Sequence, residues 1–195
     1  MQPKYYGAAA NYNSRSSGPQ SNLQKVVIII GGFFGLIIVL AIVSSILGSI
    51  ARGPSEEYAK LTARQAGLVK LVESQRTQIR NSDLRTINST AYLLFSGDVG
   101  TLNRLLPLFG MNEGVPEAIS SQETDTTSEA KLKNAALIGT YDKVYSTVLS
   151  ERMASVAALA QTVGAASSEP KVKTAIETMQ ANIAEIQKQL SQLQL

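Results

Sequence analysis

One uncharged apolar run constrains this chain more than any other feature. Val26 to Ile50 contains only three hydroxyl side chains, those of Ser44, Ser45 and Ser49. A helix rises about 1.5 Å per residue, so about 20 such residues cross the roughly 30 Å hydrocarbon core of a bilayer. The run therefore predicts one N-terminal transmembrane helix, long enough to span the membrane with some tilt. The lipid bilayer is the first expected partner.

A cleavable signal peptide is the alternative interpretation of this run. Ser49 and Ala51 would occupy the −3 and −1 positions of a cleavage site after Ala51. The apolar segment is, however, much longer than the roughly 7–15 residues of a typical signal-peptide core. We therefore expect an uncleaved signal-anchor.

Basic residues near the run leave its orientation undecided. Arg15 and Lys25 precede the run, whereas Arg52, Lys60 and Arg64 follow it. The positive-inside rule compares such counts, and here it leans slightly against a cytoplasmic N-terminus. A short tail before a long apolar run nevertheless behaves most simply as a signal-anchor. We expect a single-pass membrane protein with a cytoplasmic N-terminus and an extracytoplasmic C-terminal domain.

Composition excludes several classes of function. The chain contains no Cys and no His, which excludes disulfides, thiolate catalysis, Cys/His zinc sites and a His general base. The net charge of +3 comes from residues 1–25, where Lys4, Arg15 and Lys25 occur without an acid. Such a tail suits an anionic membrane surface better than nucleic acid. We expect no enzyme, no cofactor, no metal site and no nucleic-acid partner.

Residue patterning divides the chain into parts. Residues 1–25 are polar and basic and too poor in aliphatic side chains to bury a core, which predicts a disordered tail. The transmembrane helix occupies 26–50, and a Gly-Pro pair marks a hinge at 51–54. Residues 55–195 predict an all-α domain, an antiparallel bundle of about four helices with coiled-coil-like seams. An irregular polar stretch at 110–127 predicts a flexible loop within this domain.

Start and stop signals locate the helices of the bundle. The pattern predicts a first helix over 55–80 and a second helix after Asn81, interrupted at Gly97-Asp98. The longest candidate covers 128–166, with Ile138 on its apolar face. Pro170 opens the final helix, in the first turn, where its missing N–H matters least.

The final helix carries the most regular heptad pattern of the chain. Apolar residues recur there at alternating steps of four and three: Val172, Ile176, Met179, Ile183, Ile186, Leu190 and Leu193. This seam is typical of one helix of a bundle or of a protruding coiled coil that dimerises the chain. We favour the bundle, because a bundle helix uses the same seam.

The apolar run itself carries small residues along one helical stripe. Gly31, Gly35, Ser45 and Ser49 lie on this stripe. Small residues let two helices approach closely, and Ser can form hydrogen bonds between them. The stripe favours self-association or pairing with another membrane or envelope protein, although Gly and Ser are also tolerated in a solitary span.

Two functions fit these observations. The first is a structural or protein-interaction module, a bundle presented by its membrane anchor at the cell envelope. The alternative is a ligand-binding or sensory bundle that signals through a partner membrane protein. The layout resembles the four-helix extracytoplasmic sensor domains of bacterial receptors at the level of the fold alone. These residues contain no second run of spanning length, so a signal would have to pass through the partner.

Overall fold

The computed structural model describes residues 54–195, and within them it contains helices and no strand. The helices are α1 (Pro54–Ser74), α2 (Ser82–Leu105), α3 (Glu117–Gln122), α4 (Thr126–Leu137), α5 (Tyr141–Ala166) and α6 (Pro170–Ser191), with a 3-10 helix at Leu106–Phe109. The prediction of an all-helical bundle is confirmed for this part of the chain.

The four long helices form a ring in the order α1, α2, α6, α5. Neighbours in the ring are antiparallel. Gln65 of α1 contacts Asp98 of α2, whereas Val72, further along α1, contacts Asn88, which comes earlier in α2. The helices α2 and α5 are consecutive long helices but lie diagonally across the ring. The chain joins them through residues 106–140, which we call the crossover segment.

Local sequence explains several helix boundaries. The side-chain oxygen of Asn81 accepts hydrogen bonds from the N–H groups of Asp83 and Leu84, both at 2.9 Å, which is the N-cap that begins α2. Gly110 ends the 3-10 helix with a φ of 77°, in the left-handed region that favours glycine. Pro170 lies in the first turn of α6, as the sequence predicts.

The core lies between the apolar faces of the four long helices. The helix α6 contributes six buried seam residues: Val172, Ile176, Met179, Ile183, Ile186 and Leu190. Leu193 follows the end of α6 and packs, partly buried, against the same core. The heptad seam therefore lies inside the bundle, where α6 contacts α2 and α5.

Two helix predictions are wrong. The single helix expected over 128–166 is divided into α4 and α5 by a turn in which Gly139 has a φ of 75°, and Ile138 is exposed in that turn. Conversely, α2 continues through Gly97 and Asp98 without a break. Asp98 is buried there and accepts hydrogen bonds from two other helices, and these tertiary contacts outweigh the modest helical cost of glycine.

Two further boundaries differ from expectation. The first helix ends at Ser74, and the chain then turns so that Ile79, outside the helix, is buried. The stretch 110–127, expected to be an irregular loop, contains α3 and the first residues of α4. Contacts with the bundle hold this stretch in an ordered conformation that its local sequence does not predict.

The predicted transmembrane helix at 26–50, with Gly31, Gly35, Ser45 and Ser49, lies outside the described residues, as does the tail at 1–25. Between residues 54 and 195 no helix combines the length and the apolarity needed to cross a membrane. The span therefore stays a prediction from the sequence.

Candidate functional site

Two arginines bind the crossover segment to the bundle. The first, Arg64 on α1, pairs its Nε with a carboxylate oxygen of Glu123 at 2.5 Å, and its Nη1 donates to the hydroxyl of Ser155 on α5 at 3.2 Å. The Glu123 side chain is only 12% exposed, so water screens this pair less than a pair on the open surface. Arg64 thus connects α1, α5 and the end of α3.

The second arginine holds the start of α4. Asp125 caps α4 by accepting the N–H of Ser128 at 3.0 Å, it also accepts the Ser128 hydroxyl, and its Oδ2 lies 3.4 Å from Nη1 of Arg152 on α5. Burial by itself would raise the pKa of Asp125, but the hydrogen bonds from Ser128 and the charge of Arg152 lower it. The carboxylate therefore stays ionised, as both the cap and the ion pair require.

Gly67 on α1 makes room for the second arginine. A Cβ at this position would lie 3.3 Å from Nη2 of Arg152, which is closer than ordinary van der Waals contact. The missing side chain lets the guanidinium lie against α1. We call the two pairs, Arg64–Glu123 and Arg152–Asp125, the latch.

A groove of about 620 Å³ separates α1 from α4 beside the latch. It exists because α4 packs mainly against α5 and leaves one face of α1 uncovered. Small residues, Ala63, Ala66 and Gly67, form part of the α1 wall, and Lys133 lies on the α4 wall. The groove is also lined by three bases and three acids, so its lining combines apolar surface with charges of both signs.

The C-terminal end of α4 and the residue after it present two aliphatic side chains to solvent. Leu137 is 80% exposed and Ile138 is 73% exposed. The N–H of Thr140 donates to the carbonyl of Ala135 at 3.1 Å, and the left-handed Gly139 closes the helix end in the manner of a Schellman motif. We call Leu137 and Ile138 the apolar tip. Neither side chain contributes to the core of the described domain.

Polar contacts brace the end of the bundle that carries the tip. The carboxylate of Asp142, in the first turn of α5, accepts the backbone N–H groups of Arg80 at 3.0 Å and Asn81 at 2.7 Å. The hydroxyl of Tyr141 donates to the side-chain oxygen of Gln75, and burial, with a smaller effect of Asp142, raises the pKa of Tyr141 to about 12. The tip therefore projects from a fixed end and not from a loose loop.

Asn88 connects three helices inside the core. Its Nδ2 donates to the carbonyl of Val72 on α1 at 2.9 Å, and its Oδ1 accepts the hydroxyl of Tyr145 on α5. Burial, with a smaller contribution from Tyr141, raises the pKa of Tyr145, so the phenol stays a neutral donor at physiological pH. Because these groups are buried and satisfied by each other, they stabilise the packing and are not placed to react with a substrate.

The exposed features described above are suited to contacts with a ligand or a partner. Within residues 54–195 no group of three or more acidic side chains is placed to hold a metal ion. The predicted seam residues of α6 lie in the core, so they provide packing and no contact surface. The latch, the groove and the tip are the surfaces that the crossover segment forms with the bundle.

The sequence contained a signal for the tip but none for the latch. A glycine after two aliphatic residues, as in Leu137-Ile138-Gly139, is a pattern typical of helix C-termini. The latch pairs residues far apart in the chain, since Arg64 and Glu123 are separated by 59 positions. No local sequence pattern indicates such a pairing.

Comparisons with known proteins assign no family, because no family model, no curated protein and no solved structure matches the chain significantly. The residues and their geometry are therefore the evidence for function.

Replacing Asp125 by Ala tests the latch. The change removes both the cap of α4 and the partner of Arg152, at a cost of about 1–2 kcal/mol. We expect the amide hydrogens of residues 126–137 to exchange about ten-fold faster while those of α6 keep their rates, because only α4 opens. Hydrogen–deuterium exchange with mass spectrometry measures both.

The control is Lys131→Ala, which breaks the exposed ion pair with Glu151 and should change little. An Asp125→Ala protein in which α4 exchanges at its normal rate, or in which every helix accelerates equally, would refute a local latch.

Proposed function

We propose that this protein is a single-pass, membrane-anchored helical bundle that serves as a structural or protein-interaction module at the cell envelope. The apolar tip carries the proposal, since Leu137 and Ile138 are exposed although no packing within the domain employs them. The uncharged run at 26–50 supports the anchor. In the proposed topology the N-terminus is cytoplasmic and the bundle is extracytoplasmic.

The physical properties of the tip suit a contact surface. Single exposed apolar residues are ordinary, but here two adjacent aliphatic side chains project from a braced turn. Burying one such side chain contributes about 1.5–3 kcal/mol, so a partner that covers both gains several kcal/mol. The turn is already ordered, which keeps the entropic cost of binding low. The expected partner is an envelope protein with an apolar pocket of matching size.

Site-directed photo-crosslinking in native membranes tests this contact. A photoreactive residue at Asn134, one turn before the tip, should yield one crosslinked product of fixed mass. The double substitution Leu137→Ser, Ile138→Ser should abolish that product and leave the melting temperature nearly unchanged, because both side chains are exposed. Immunoblotting and differential scanning fluorimetry read out the two effects.

A photoreactive residue at Leu93 provides the matched control. Leu93 is 71% exposed but stands in the middle of α2, away from the turn. Equal crosslinking from Leu93 and from Asn134, or a product that survives the double substitution, would remove the tip as the contact surface.

The anchor and its orientation are tested by protease treatment of spheroplasts. Protease added outside should digest the bundle and leave the N-terminal tail intact, because the tail is expected on the cytoplasmic side. Sequencing of the untreated protein should find no chain that begins at Arg52. A chain recovered free of membranes, or one that starts at Arg52, would contradict the anchored form.

The groove favours a second candidate function, a ligand-binding or sensory bundle that signals through a partner membrane protein. Its volume of about 620 Å³ lies within the usual range of small-molecule pockets. A compound that binds the folded state should raise the melting temperature of the full-length protein in proportion to the logarithm of its concentration. The substitution Ala66→Leu, which fills the groove beside the latch, should abolish that rise. If no compound in a broad screen shifts the wild-type melting temperature, this second function is not supported.

A further inference from the structure

Asp98 is a buried carboxylate without an opposite charge. Its residue is only 6% exposed, in the middle of α2. Its Oδ1 accepts the side-chain amide of Asn182 on α6 at 2.8 Å, and its Oδ2 accepts the side-chain amide of Gln65 on α1 at 3.3 Å. Among the ion pairs of the described residues none includes Asp98. Two neutral amides thus replace the cation that a buried carboxylate usually has.

The polar groups around Asp98 are incompletely satisfied. Gln65 is fully buried, and its Oε1 has no hydrogen-bond partner. An unpaired buried polar atom beside an uncompensated buried charge lowers stability. A cluster optimised only for stability would contain neither, so the arrangement indicates another use for the carboxylate.

The partly buried Asn182 can serve both protonation states of the carboxyl group. With Asp98 ionised, the amide nitrogen of Asn182 donates to Oδ1. With Asp98 protonated on Oδ1, a half-turn of the Asn182 amide places its oxygen to accept the new proton, and the displaced nitrogen can bond to water. Gln65 continues to donate to Oδ2 in both states.

Protons can reach Asp98 from the surface. Asp98 lines a groove of about 450 Å³ between α2 and α6, together with Thr101, Arg104, Lys171 and Thr174. The charged groups of this groove are Arg104 on α2 and Lys171 on α6, while α1 presents the neutral Gln65. Both cations favour the ionised carboxylate, whereas burial opposes it.

We propose that Asp98 is a proton-operated switch at the junction of α1, α2 and α6, which tightens the bundle when the medium on its side of the membrane becomes acidic. The observation that carries this proposal is the carboxylate held between two neutral amides from two other helices, with a solvent groove leading to it.

The direction of the effect follows from linkage. Burial, partly offset by the hydrogen bond from Asn182, raises the pKa of Asp98 from 3.8 to about 6. Between these two values the folded protein binds more protons than the unfolded chain, so stability falls as the pH rises through this window. Above about pH 6 the bundle holds an uncompensated charge, and the full effect corresponds to roughly a hundred-fold change in the unfolding equilibrium.

Comparison of Asp98→Asn with the full-length wild type tests the switch. Melting temperatures are measured from pH 4.5 to 8 at constant ionic strength. Asp98→Asn keeps the size of the side chain and never ionises, so we expect it to be more stable than the wild type at pH 7.5, with an advantage that shrinks as the pH falls through about 6. The control Asp83→Asn, at an exposed carboxylate in the first turn of α2, should not show this pH-dependent difference from the wild type.

A direct titration keeps the proposal testable if Asp98→Asn folds poorly. The chain has only four aspartates, Asp83, Asp98, Asp125 and Asp142, so carbon-13 labelling of aspartate gives few carboxyl signals. One signal should titrate near pH 6 in the wild type. A difference in melting temperature that is independent of pH, or four carboxyl signals that all titrate below about pH 5, would overturn the switch.

Discussion

The burial of four apolar helix faces in one ring is the constraint on which the other features depend. The ring order places α2 and α5 on a diagonal, with α2 ending beside the start of α1 and α5 beginning at the opposite end. The chain must therefore travel the length of the bundle between them. At about 1.5 Å per residue, α2 alone spans roughly 36 Å. The crossover segment exists to cover that distance.

The crossover segment in turn creates the latch, the groove against α1 and the apolar tip. Because it needs attachment, two arginines on α1 and α5 bind carboxylates at its middle. Because α4 packs along α5, a groove remains between α4 and α1. Because the segment must turn sharply to enter α5, a left-handed glycine ends α4 and leaves Leu137 and Ile138 in solvent. These three features are consequences of one topological requirement.

Polar groups inside the bundle set the alignment of the helices. Asn88 joins α1, α2 and α5 with both its amide nitrogen and its amide oxygen hydrogen-bonded, and such a group rigidifies a core. Asp98 joins α1, α2 and α6, but it does so as an uncompensated charge. The Asn88 and Asp98 clusters lie at different heights along the α1–α2 pair. Only the Asp98 cluster responds to the pH of the medium. The bundle thus combines a fixed layer with a layer whose stability depends on protonation.

Helix signals in the sequence were reliable where one local pattern dominated. The heptad of α6, the N-cap at Asn81 and the first-turn Pro170 all depend on residues within a few positions of each other. Prediction was wrong at Gly97, where a glycine implied a break that packing prevents, and at Gly139, where a continuous apolar pattern hid a turn. At Gly97 the local preference is worth about 1 kcal/mol, which contacts with other helices easily exceed. At Gly139 the local preference of glycine for the left-handed region ends the helix, against the apolar pattern on either side.

The sequence by itself determined that residues 55–195 form a bundle of long helices with apolar faces, because helical periodicity depends on residues close together in the chain. It also determined the chemistry that is missing, since a chain without Cys and His excludes whole classes of site. Only the tertiary structure decided the ring order, the latch between Arg64 and Glu123, and the position of Asp98 between Gln65 and Asn182. These contacts join residues 33 to 84 positions apart, and no short-range pattern can encode which distant partners a side chain meets once the helices pack.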